Sequence, residues 1–388
     1  MTVPSELVEG PIYLDYNATT PVDPAVTEAM LPYLTGGFGN PSSEHHYGRA
    51  PRMALEHART QVAALLGAQD GQIVFTGSGS EAANLAIRGA VLAAGVDRPH
   101  VITQPTEHPA VLQACRALRR WHGAEVTYLP VTGDGLVDPA ALAAAFTDRT
   151  VLVSIMAANN ETGALQPIPD LVRITHDHGA VFHTDAAQTV GKIPVDVTAL
   201  GVDLLTVVGH KMYAPKGIAA LYTRPDLRLE PLIYGGGQEH GLRAGTENVA
   251  LAVALGTAAD LATADLAAGG HHHIQTLRDR LHDHLADALP GRVLRNGPAD
   301  ARLPNTLNIS IQGTIGHTLL AAIPGIAAST GSACHSGTHT PSPVLTAMGL
   351  DTERSLAALR LSLGRWTTTD EIHRAADHIA TAAQQPLG

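Results

Sequence analysis

The sequence has few cysteines and no cluster of positive charge. Its 388 residues include two cysteines, Cys115 and Cys334, which cannot build a disulfide framework and suit a reducing compartment. The 25 basic and 36 acidic residues give a formal charge of −11 at pH 7, and no Lys/Arg-rich run occurs. A basic footprint for phosphate backbones is therefore missing, so we do not expect direct nucleic-acid binding.

Long apolar runs are also missing. No stretch reaches the roughly 18 uncharged apolar residues that a membrane span needs. The N-terminal segment MTVPSELVEG lacks the basic and apolar regions of a signal peptide. We therefore expect a cytoplasmic protein that does not associate with a membrane. With 45% hydrophobic residues the chain can bury a large core, and its length predicts two packed domains.

Short apolar strands alternate with helical segments between about residues 51 and 222. This order predicts an α/β fold whose mainly parallel seven-stranded sheet is covered on both faces. After residue 255 the pattern changes to Ala-rich helices and a Gly/Ser/Thr/Pro-rich loop between two strand candidates, which predicts a smaller α+β domain. We predict a large domain at 21–255 and a small domain formed by 1–20 and 256–388, with a mobile loop at about 329–342. The predicted strands lie at 72–76, 100–103, 125–129, 151–156, 181–184, 204–208, 218–222, 306–311 and 358–363, and the predicted helices at 54–66, 81–94, 110–121, 139–146, 257–267 and 274–288.

Lys211 follows the apolar strand predicted at 204–208. Most lysines are surface charges, but the carboxyl end of a buried strand is where α/β folds place their ligand sites. Desolvation there would lower the pKa of the amine, which suits Schiff-base formation with an aldehyde cofactor. Lys211 is thus a candidate for covalent cofactor attachment.

Asp185 ends the strand predicted at 181–184 and lies 26 residues before Lys211. Taken alone, it is best explained as a helix N-cap. Together with Lys211 it has a second interpretation, because pyridoxal phosphate (PLP) enzymes need a carboxylate against the pyridinium nitrogen. Asp185 would supply that charge, and Gln188 could reach the phenolic oxygen of the ring.

Gly77-Ser78-Gly79-Ser80 lies between a predicted strand and a predicted helix. Backbone N–H groups at a helix N-terminus form an anion site that could hold a phosphate, although such turns also serve simply as caps. His108 precedes another predicted helix, where an isolated histidine is most often an ordinary loop residue. Three adjacent histidines at 271–273 start a further helix, and because adjacent helical positions point in different directions we predict no metal site.

The two cysteines have different surroundings. Cys334 lies among glycines and small polar residues at 329–337, a composition typical of an exposed loop, so its thiol is a candidate for reactivity. Cys115 lies within an amphipathic helical pattern, where a small buried side chain is expected. We predict that Cys334 takes part in chemistry and that Cys115 does not.

Together these motifs resemble the fold-type I PLP enzymes, in particular the class V aminotransferase group and, within it, the NifS/IscS-like cysteine desulfurases. The resemblance extends over nearly the whole chain. It rests on ordered motifs at 13–20 (YLDYNATT), 38–43 (FGNPSS), 106–108 (TEH), 159–163 (NNETG), 185–188 (DAAQ), 209–211 (GHK), 215–217 (PKG), 235–239 (GGGQE), 243–246 (RAGT), 331–334 (GSAC) and 359–362 (LRLS).

The resemblance implies a role for each matching residue. Lys211 would bond the cofactor aldehyde, His108 would stack on the pyridine ring and Asp185 would pair with the ring nitrogen. Asn17 would approach the substrate, and Arg360 would clamp its carboxylate through a bidentate pair. The other implied contacts are Gln188 and Asn160 near the phenolic oxygen, Asn160 also near substrate, and Gly79, Ser80 and His210 on the phosphate, joined by Thr246 from a second subunit. Because the site would be shared, a homodimer is expected.

The sequence departs from the family pattern at Val208, where the family usually has a serine whose hydroxyl contacts the cofactor phosphate. We therefore expect weaker cofactor retention, with Ser80 or Thr206 as candidates to replace the lost hydrogen bond. The residues around Cys334 resemble the family group with a long Ser-Gly-Ser-Ala-Cys-type loop, rather than the group with a shorter Arg-x-Gly-His-x-Cys loop.

The activity that the resemblance implies is that of a cysteine desulfurase, which converts L-cysteine to L-alanine and holds the sulfur as a persulfide on Cys334. His108 is the expected proton carrier for the thiols. Selenocysteine lysis or another class V transfer reaction, such as transamination, would use most of the same residues, and a catalytically silent scaffold of this fold is a further alternative. The sulfur acceptor would be an iron–sulfur scaffold, a tRNA- or DNA-thiolation enzyme, or a sulfur carrier.

Overall fold

A computed structural model describes residues 3–68, 72–331 and 340–385. The predicted cysteine loop is described only at its two ends, and Cys334 lies outside the described residues. The strands are β1 (Ile12–Tyr13), β2 (Gln72–Thr76), β3 (His100–Thr103), β4 (Glu125–Tyr128), β5 (Thr150–Ser154), β6 (Val181–Asp185), β7 (Leu204–Val208), β8 (Ala219–Thr223), β9 (Val293–Arg295), β10 (Thr306–Ile311), β11 (Ile326–Ala327) and β12 (Ala358–Ser362). The helices are α1 (Ser5–Glu9), α2 (Pro24–Thr35), α3 (His46–Leu65), α4 (Gly79–Ala93), α5 (Pro109–His122), α6 (Pro139–Ala145), α7 (Ile168–Asp177), α8 (Val197–Leu200), α9 (Val249–Ala267), α10 (Gly270–Ala288), α11 (Gly316–Ala321), α12 (Pro343–Ala347), α13 (Thr352–Leu356) and α14 (Thr369–Gln384).

Seven strands form one sheet in the order β2-β8-β7-β6-β5-β3-β4. The neighbours from β7 to β4 pair in parallel, whereas β8 is antiparallel to both β2 and β7. The prediction of a mainly parallel seven-stranded sheet is confirmed. The reversal of β8 follows from its short connection to β7, because a parallel pair needs a crossover of about a dozen residues or more.

Helices cover both faces of this sheet, since successive residues of a strand point to opposite sides. In β2, Ile73 and Phe75 join a core that includes residues of α2, α3 and α9. Val74 points the other way and packs with residues of α4 and α5. Because both faces are buried, the strands read as continuous apolar runs in the sequence.

A second, smaller core surrounds the antiparallel sheet β12-β10-β9. Leucines of α10 and apolar residues of α14 pack on it, and Ile12 and Leu14 from the N-terminal segment join the same core. The observed arrangement is α+β. The domain boundary at residue 255 stays a prediction, and α9 contributes side chains as far as Ala262 to the core of the large sheet.

Three helices begin earlier than the sequence pattern predicts. α3 begins at His46 instead of 54, α9 at Val249 instead of 257, and α10 at Gly270 instead of 274. The predicted start of α3 is too late because of Pro51. A proline usually marks a helix boundary, but this helix continues through it. In α9 the side chain of Asn248 caps the N-terminus by accepting a hydrogen bond from the Leu251 N–H.

Helix α9 is long and apolar enough to cross a membrane by length and composition. It packs instead against α2 and α3, and residues such as Ala254, Leu255 and Ala258 are fully or almost fully buried. Its apolar character is therefore explained by its place in the protein core.

Replacing Phe182 with alanine is expected to lower the free energy of unfolding by about 3–5 kcal/mol, because this side chain of β6 is fully buried in the core and the space cannot close completely. Urea denaturation measures the change. Trp121→Ala is the control, since Trp121 is 69% exposed. Equal losses in the two variants would contradict the described core.

Candidate functional site

A cavity of about 480 Å³ lies at the carboxyl ends of β3, β5, β6 and β7. Parallel strands place the residues that follow them at one edge of the sheet, so segments distant in sequence meet there. The cavity brings together most of the predicted site residues: Asn17, Gly79, Ser80, His108, Asn160, Asp185, Gln188, His210, Lys211 and Arg360.

Lys211 follows β7 on a short 3₁₀ turn, and its Nζ donates hydrogen bonds to the carbonyl oxygens of Asn17 (2.6 Å) and Ala18 (2.7 Å). Burial, together with the positive charge of Arg360, lowers the pKa of Lys211 to about 8, although Asp185 opposes the shift. The predicted lowering of this pKa is confirmed. With a pKa of about 8, roughly a tenth of the amine is unprotonated at pH 7, and this is the form that can attack a carbonyl carbon.

Asp185 is the last residue of β6 and is buried. One carboxylate oxygen accepts the backbone N–H of Ala187 at 3.0 Å in a turn. No helix begins at residues 186–192, so the interpretation of Asp185 as a helix N-cap is wrong. Burial raises the pKa of Asp185, while the Ala187 hydrogen bond and the proximity of His108 and Lys211 oppose the rise. A buried carboxyl in this position favours a cationic partner in the cavity.

The His108 side chain caps α5, because its Nδ1 accepts the backbone N–H of Ala110 at 3.1 Å. Burial is the main cause that lowers the pKa of His108, with Lys211 acting in the same direction and Asp185 against it. The neutral ring therefore carries its proton on Nε2. That nitrogen remains for proton exchange within the cavity.

Gly79 and Ser80 form the first turn of α4, whose first N–H groups have no partner within the helix. A Cβ atom on Gly79 would lie 2.5 Å from Val208 Cγ2, so the valine at the end of β7 requires glycine opposite it. Val208 lines the cavity at the place where the family pattern has a hydroxyl. His210, the other predicted phosphate contact, is kept neutral because burial and nearby Lys211 lower its pKa to about 4.

Of the two side chains expected to compensate for Val208, only Ser80 lines the cavity. Thr206 is fully buried in β7, and its hydroxyl lies 3.0 Å from His183 Nε2 inside the sheet. Thr206 was therefore the wrong candidate. Thr206 is on the same face of β7 as Val208, but it lies two residues further from the end of the strand that borders the cavity.

Arg360 enters the cavity from the central part of β12. Its guanidinium donates to the Asp15 carboxylate (2.7 Å) and to the backbone oxygen of Asn160 (3.2 Å). Its Nε is buried and has no hydrogen-bond partner within the described residues. Asn17 Nδ2 also donates to the Asn160 oxygen, at 3.2 Å, and to Thr306 Oγ1 at 2.8 Å. A substrate carboxylate would find an incompletely paired guanidinium here.

One predicted residue, Thr246, lies outside this cavity. Thr246 lines a neighbouring groove of about 280 Å³, which shares Gly217 and Ile218 with the cavity wall. That placement leaves its predicted contribution from a second subunit untested. Cys334 lies outside the described residues, so its distance from the cavity is not defined.

Sequence reasoning missed Lys192 and Asp15. Lys192 Nζ donates to Asn17 Oδ1 at 3.1 Å and to Gln188 Oε1 at 2.5 Å, which orients the Gln188 amide. Burial, with Lys211 and Arg360, lowers the pKa of Lys192 well below its ordinary value. The spacing of four residues between Gln188 and Lys192 could have suggested this contact, whereas no local signal links Asp15 to Arg360.

The histidine tract at 271–273 belongs to the first turn of α10, where the rings of His271 and His272 lie 3.9 Å apart. No group of three metal-binding side chains close enough to hold an ion is found within 3–68, 72–331 and 340–385.

Comparison with protein families matches residues 12–375 to the class-V aminotransferases. The chain belongs to this family. Its curated relatives include "Cysteine desulfurase, mitochondrial" of Drosophila melanogaster, 46% identical over 97% of this chain and 81% of the relative. "Cysteine desulfurase IscS" of Rickettsia bellii is 45% identical over 93% of this chain and 88% of the relative. Within the class-V aminotransferases, this chain is therefore a cysteine desulfurase family member.

Solved structures confirm the fold-type I architecture. A "NIFS-LIKE PROTEIN" superposes with a TM-score of 0.88 at 35% identity, covering 96% of this chain and 98% of the other. The structure titled "SspA in complex with cysteine" gives a TM-score of 0.80 at 36% identity, covering 92% of this chain and 99% of the other. The architecture predicted from the ordered motifs is thus confirmed.

The class-V aminotransferases are PLP enzymes, and the polar groups of the cavity fit that cofactor. An amine with a lowered pKa suits the aldehyde, a buried carboxyl suits a protonated ring nitrogen, and a helix N-terminus suits the phosphate. These groups belong to Lys211, Asp185 and α4. All three line one cavity.

We predict that Val208→Ser increases PLP affinity. A serine hydroxyl facing the first turn of α4 would add one hydrogen bond to a charged phosphate, about 1.5–3 kcal/mol, or roughly a tenfold or larger decrease in Kd. Fluorescence titration of the apoprotein with PLP measures Kd. Val208→Ala, which removes the same methyl groups without adding a hydroxyl, is the control. An unchanged Kd for Val208→Ser would mean that the valine does not limit cofactor binding.

Proposed function

We propose that this chain is a PLP-dependent cysteine desulfurase, in which Lys211, Asp185, His108 and Arg360 act on L-cysteine and Cys334 receives the sulfur. The observation that carries the proposal is the convergence of a low-pKa amine, a buried carboxyl and an incompletely paired guanidinium on one cavity. The family membership gives this convergence its chemical meaning. The structure titled with bound cysteine supports L-cysteine as the substrate.

Lys211 is proposed to hold the cofactor through its aldehyde and then to act as the base at the substrate Cα. When bound, PLP would supply an electron-accepting ring, which Asp185 keeps protonated by charge pairing. The lowered pKa of Lys211, about 8, allows its amine to accept and return a proton near neutral pH.

Arg360 is proposed to bind the substrate carboxylate. Its Nε lacks a partner in the described part of the chain, and a bidentate carboxylate would engage Nε together with a terminal nitrogen. Asn17 and Asn160 would line the same part of the cavity beside the substrate. This contact would fix the position of Cα relative to the Lys211 amine.

Cys334 is proposed to take the sulfur atom as a thiolate. Its Sγ forms the new S–S bond, the substrate C–S bond breaks, and the bonding electron pair remains with the former Cβ carbon. Protonation of that carbon completes the methyl group of L-alanine, and the sulfur remains as a persulfide. His108 Nε2 is the proposed site of proton exchange with the thiols, because its Nδ1 is engaged by Ala110.

A homodimer is the proposed working unit. The groove that contains Thr246 adjoins the cavity wall, so a partner subunit could complete the site from that side. Large hydrophobic side chains are exposed between residues 31 and 53, and the stacked pair Phe38 and Tyr47 is 76% and 62% exposed. Exposed apolar surface of this kind marks a protein interface.

The sulfur is proposed to pass from Cys334 to an acceptor protein in the cytoplasm. The acceptor classes are an iron–sulfur scaffold, a tRNA- or DNA-thiolation enzyme, or a sulfur carrier. Transfer to a protein rather than release as sulfide would keep the reactive sulfur covalently bound throughout.

Borohydride reduction of the PLP-loaded protein is expected to fix the cofactor on Lys211. The sequence contains three lysines, Lys192, Lys211 and Lys216, so peptide mapping by mass spectrometry distinguishes all of them. Lys211→Arg should lose both the label and the absorbance band near roughly 420 nm, since an arginine cannot form the bond. A label on Lys192 or Lys216 in the wild-type protein would contradict the assignment.

Cys334→Ser is expected to keep the cofactor band while alanine and persulfide formation fall to background. The assay supplies L-cysteine and a thiol but no keto acid, which separates desulfuration from transamination. Cys115→Ser is the matched control, because Cys115 is fully buried and burial raises its thiol pKa to about 12. Alanine production by Cys334→Ser at the wild-type rate would exclude the proposed role of this thiol.

A further inference from the structure

Glu161 is a buried acid that the proposed chemistry does not use. It is 6% exposed and follows Asn160 in the turn after β5. Its backbone is fixed, since its N–H donates to Asn159 Oδ1 at 2.9 Å and its carbonyl accepts from Asn308 Nδ2 at 3.1 Å. Both backbone polar groups of Glu161 are therefore hydrogen-bonded to side chains, which fixes the point from which its own side chain projects.

The Glu161 carboxylate holds the chain on the C-terminal side of the segment that contains Cys334. Ser342 Oγ donates to Glu161 Oε2 at 2.5 Å. The same hydroxyl accepts the N–H groups of Val344 and Leu345 and so caps α12. Ser342 is 1% exposed, so its bond to Glu161 is shielded from competing water.

The same carboxylate packs against the N-terminal side of that segment. A Cβ on Gly331 would lie 2.7 Å from Glu161 Oε2, which shows how closely the Gly331 backbone approaches the oxygen. Gly331 has a φ of +81°, a conformation that side chains rarely adopt. Glu161 Oε2 thus contacts both ends of the segment. The close approach of this oxygen and the positive φ each require glycine at 331.

The N-terminal end of the segment is also joined to Arg360. The Arg360 N–H donates to the Ser329 carbonyl at 2.6 Å, and Ser329 Oγ accepts the Gly331 N–H at 3.0 Å. The Arg360 guanidinium in turn donates to the carbonyl of Asn160, the neighbour of Glu161. The ends of the segment and the proposed substrate clamp therefore share one connected set of contacts.

We propose that Glu161 is a positioning residue for sulfur transfer, whose carboxylate fixes both ends of the segment bearing Cys334 relative to Arg360. The inference rests on the proposed function, because it presumes that the Cys334 thiol must reach a substrate held by Arg360. A displacement of about 1 Å at a reacting group can reduce a rate about a hundredfold. Anchoring the two ends of the segment is therefore expected to increase the rate of sulfur transfer.

The cost of burying this acid supports a role beyond packing. Burial raises the pKa of Glu161 to about 7, against the opposing effects of the Ser342 hydrogen bond and the Arg360 charge. An apolar side chain of similar size would avoid that cost but could not accept the hydrogen bond from Ser342 Oγ. A glutamine keeps the acceptor oxygen and removes the charge.

The test compares Glu161→Ala with Glu161→Gln. In Glu161→Ala, kcat for alanine formation should fall about tenfold or more while KM for cysteine changes little, because the substrate clamp remains and thiol placement is lost. In the apoprotein, the alkylation rate of Cys334 by iodoacetamide should rise, since its flanking residues lose their anchor. Glu161→Gln should restore both quantities to within about twofold of wild type.

Ser310→Ala is the control for general destabilisation. Ser310 is 1% exposed in β10 and donates to the Arg354 carbonyl, but no hydrogen bond joins it to either end of the segment within the described residues. The buried thiol of Cys115 is an internal standard for alkylation. Equal effects of Ser310→Ala and Glu161→Ala, or an unchanged kcat in Glu161→Ala, would overturn the inference. A failure of the wild-type enzyme to form alanine would instead refute the proposed function, and the alkylation comparison needs no turnover.

Discussion

The site depends on the backbone carbonyl of Asn17, which accepts hydrogen bonds from both Lys211 Nζ and Gln188 Nε2. The same residue uses its side chain to contact Thr306 and Asn305 in the smaller unit. One residue of the N-terminal segment therefore joins the edge of the large sheet to the small one. If this segment were displaced, the lysine amine would lose its acceptors while remaining buried.

Positive charge is concentrated around this point. Lys192, Lys211 and Arg360 lie close enough to affect one another, and their mutual repulsion contributes to the lowered pKa of each lysine. Asp15 and Asp185 supply compensating negative charge. This balance explains how a site suited to anionic groups can also contain amines that lose a proton more readily than an exposed lysine does.

Much of this arrangement could be predicted because it depends on local sequence patterns. The apolar runs ending at Asp185 and before Lys211 identified buried parallel strands, and strand ends converge at one sheet edge. The antiparallel direction of β8 was not predicted, since an apolar run carries no information on direction. The start of α3 was missed because Pro51 lies inside the helix.

Contacts between remote segments were beyond the reach of these patterns. The ion pair of Arg360 with Asp15 joins residues that are 345 positions apart, and neither has a local feature that indicates the other. Thr206 and Val208 lie two residues apart on one strand, yet only Val208 reaches the cavity. Whether a strand residue reaches the cavity depends on its distance from the strand end and on where the neighbouring strands end, and the sequence of one strand gives neither.

The close approach of Gly79 and Val208 has an evolutionary consequence. A side chain at 79 would collide with the valine, whereas a smaller residue at 208 would leave room for it. Substitutions at the two positions should therefore be correlated among homologues, with valine at 208 accompanied by glycine at 79. If an ancestor of this chain had a serine at 208, its replacement by valine would have restricted position 79, at the start of α4, to glycine.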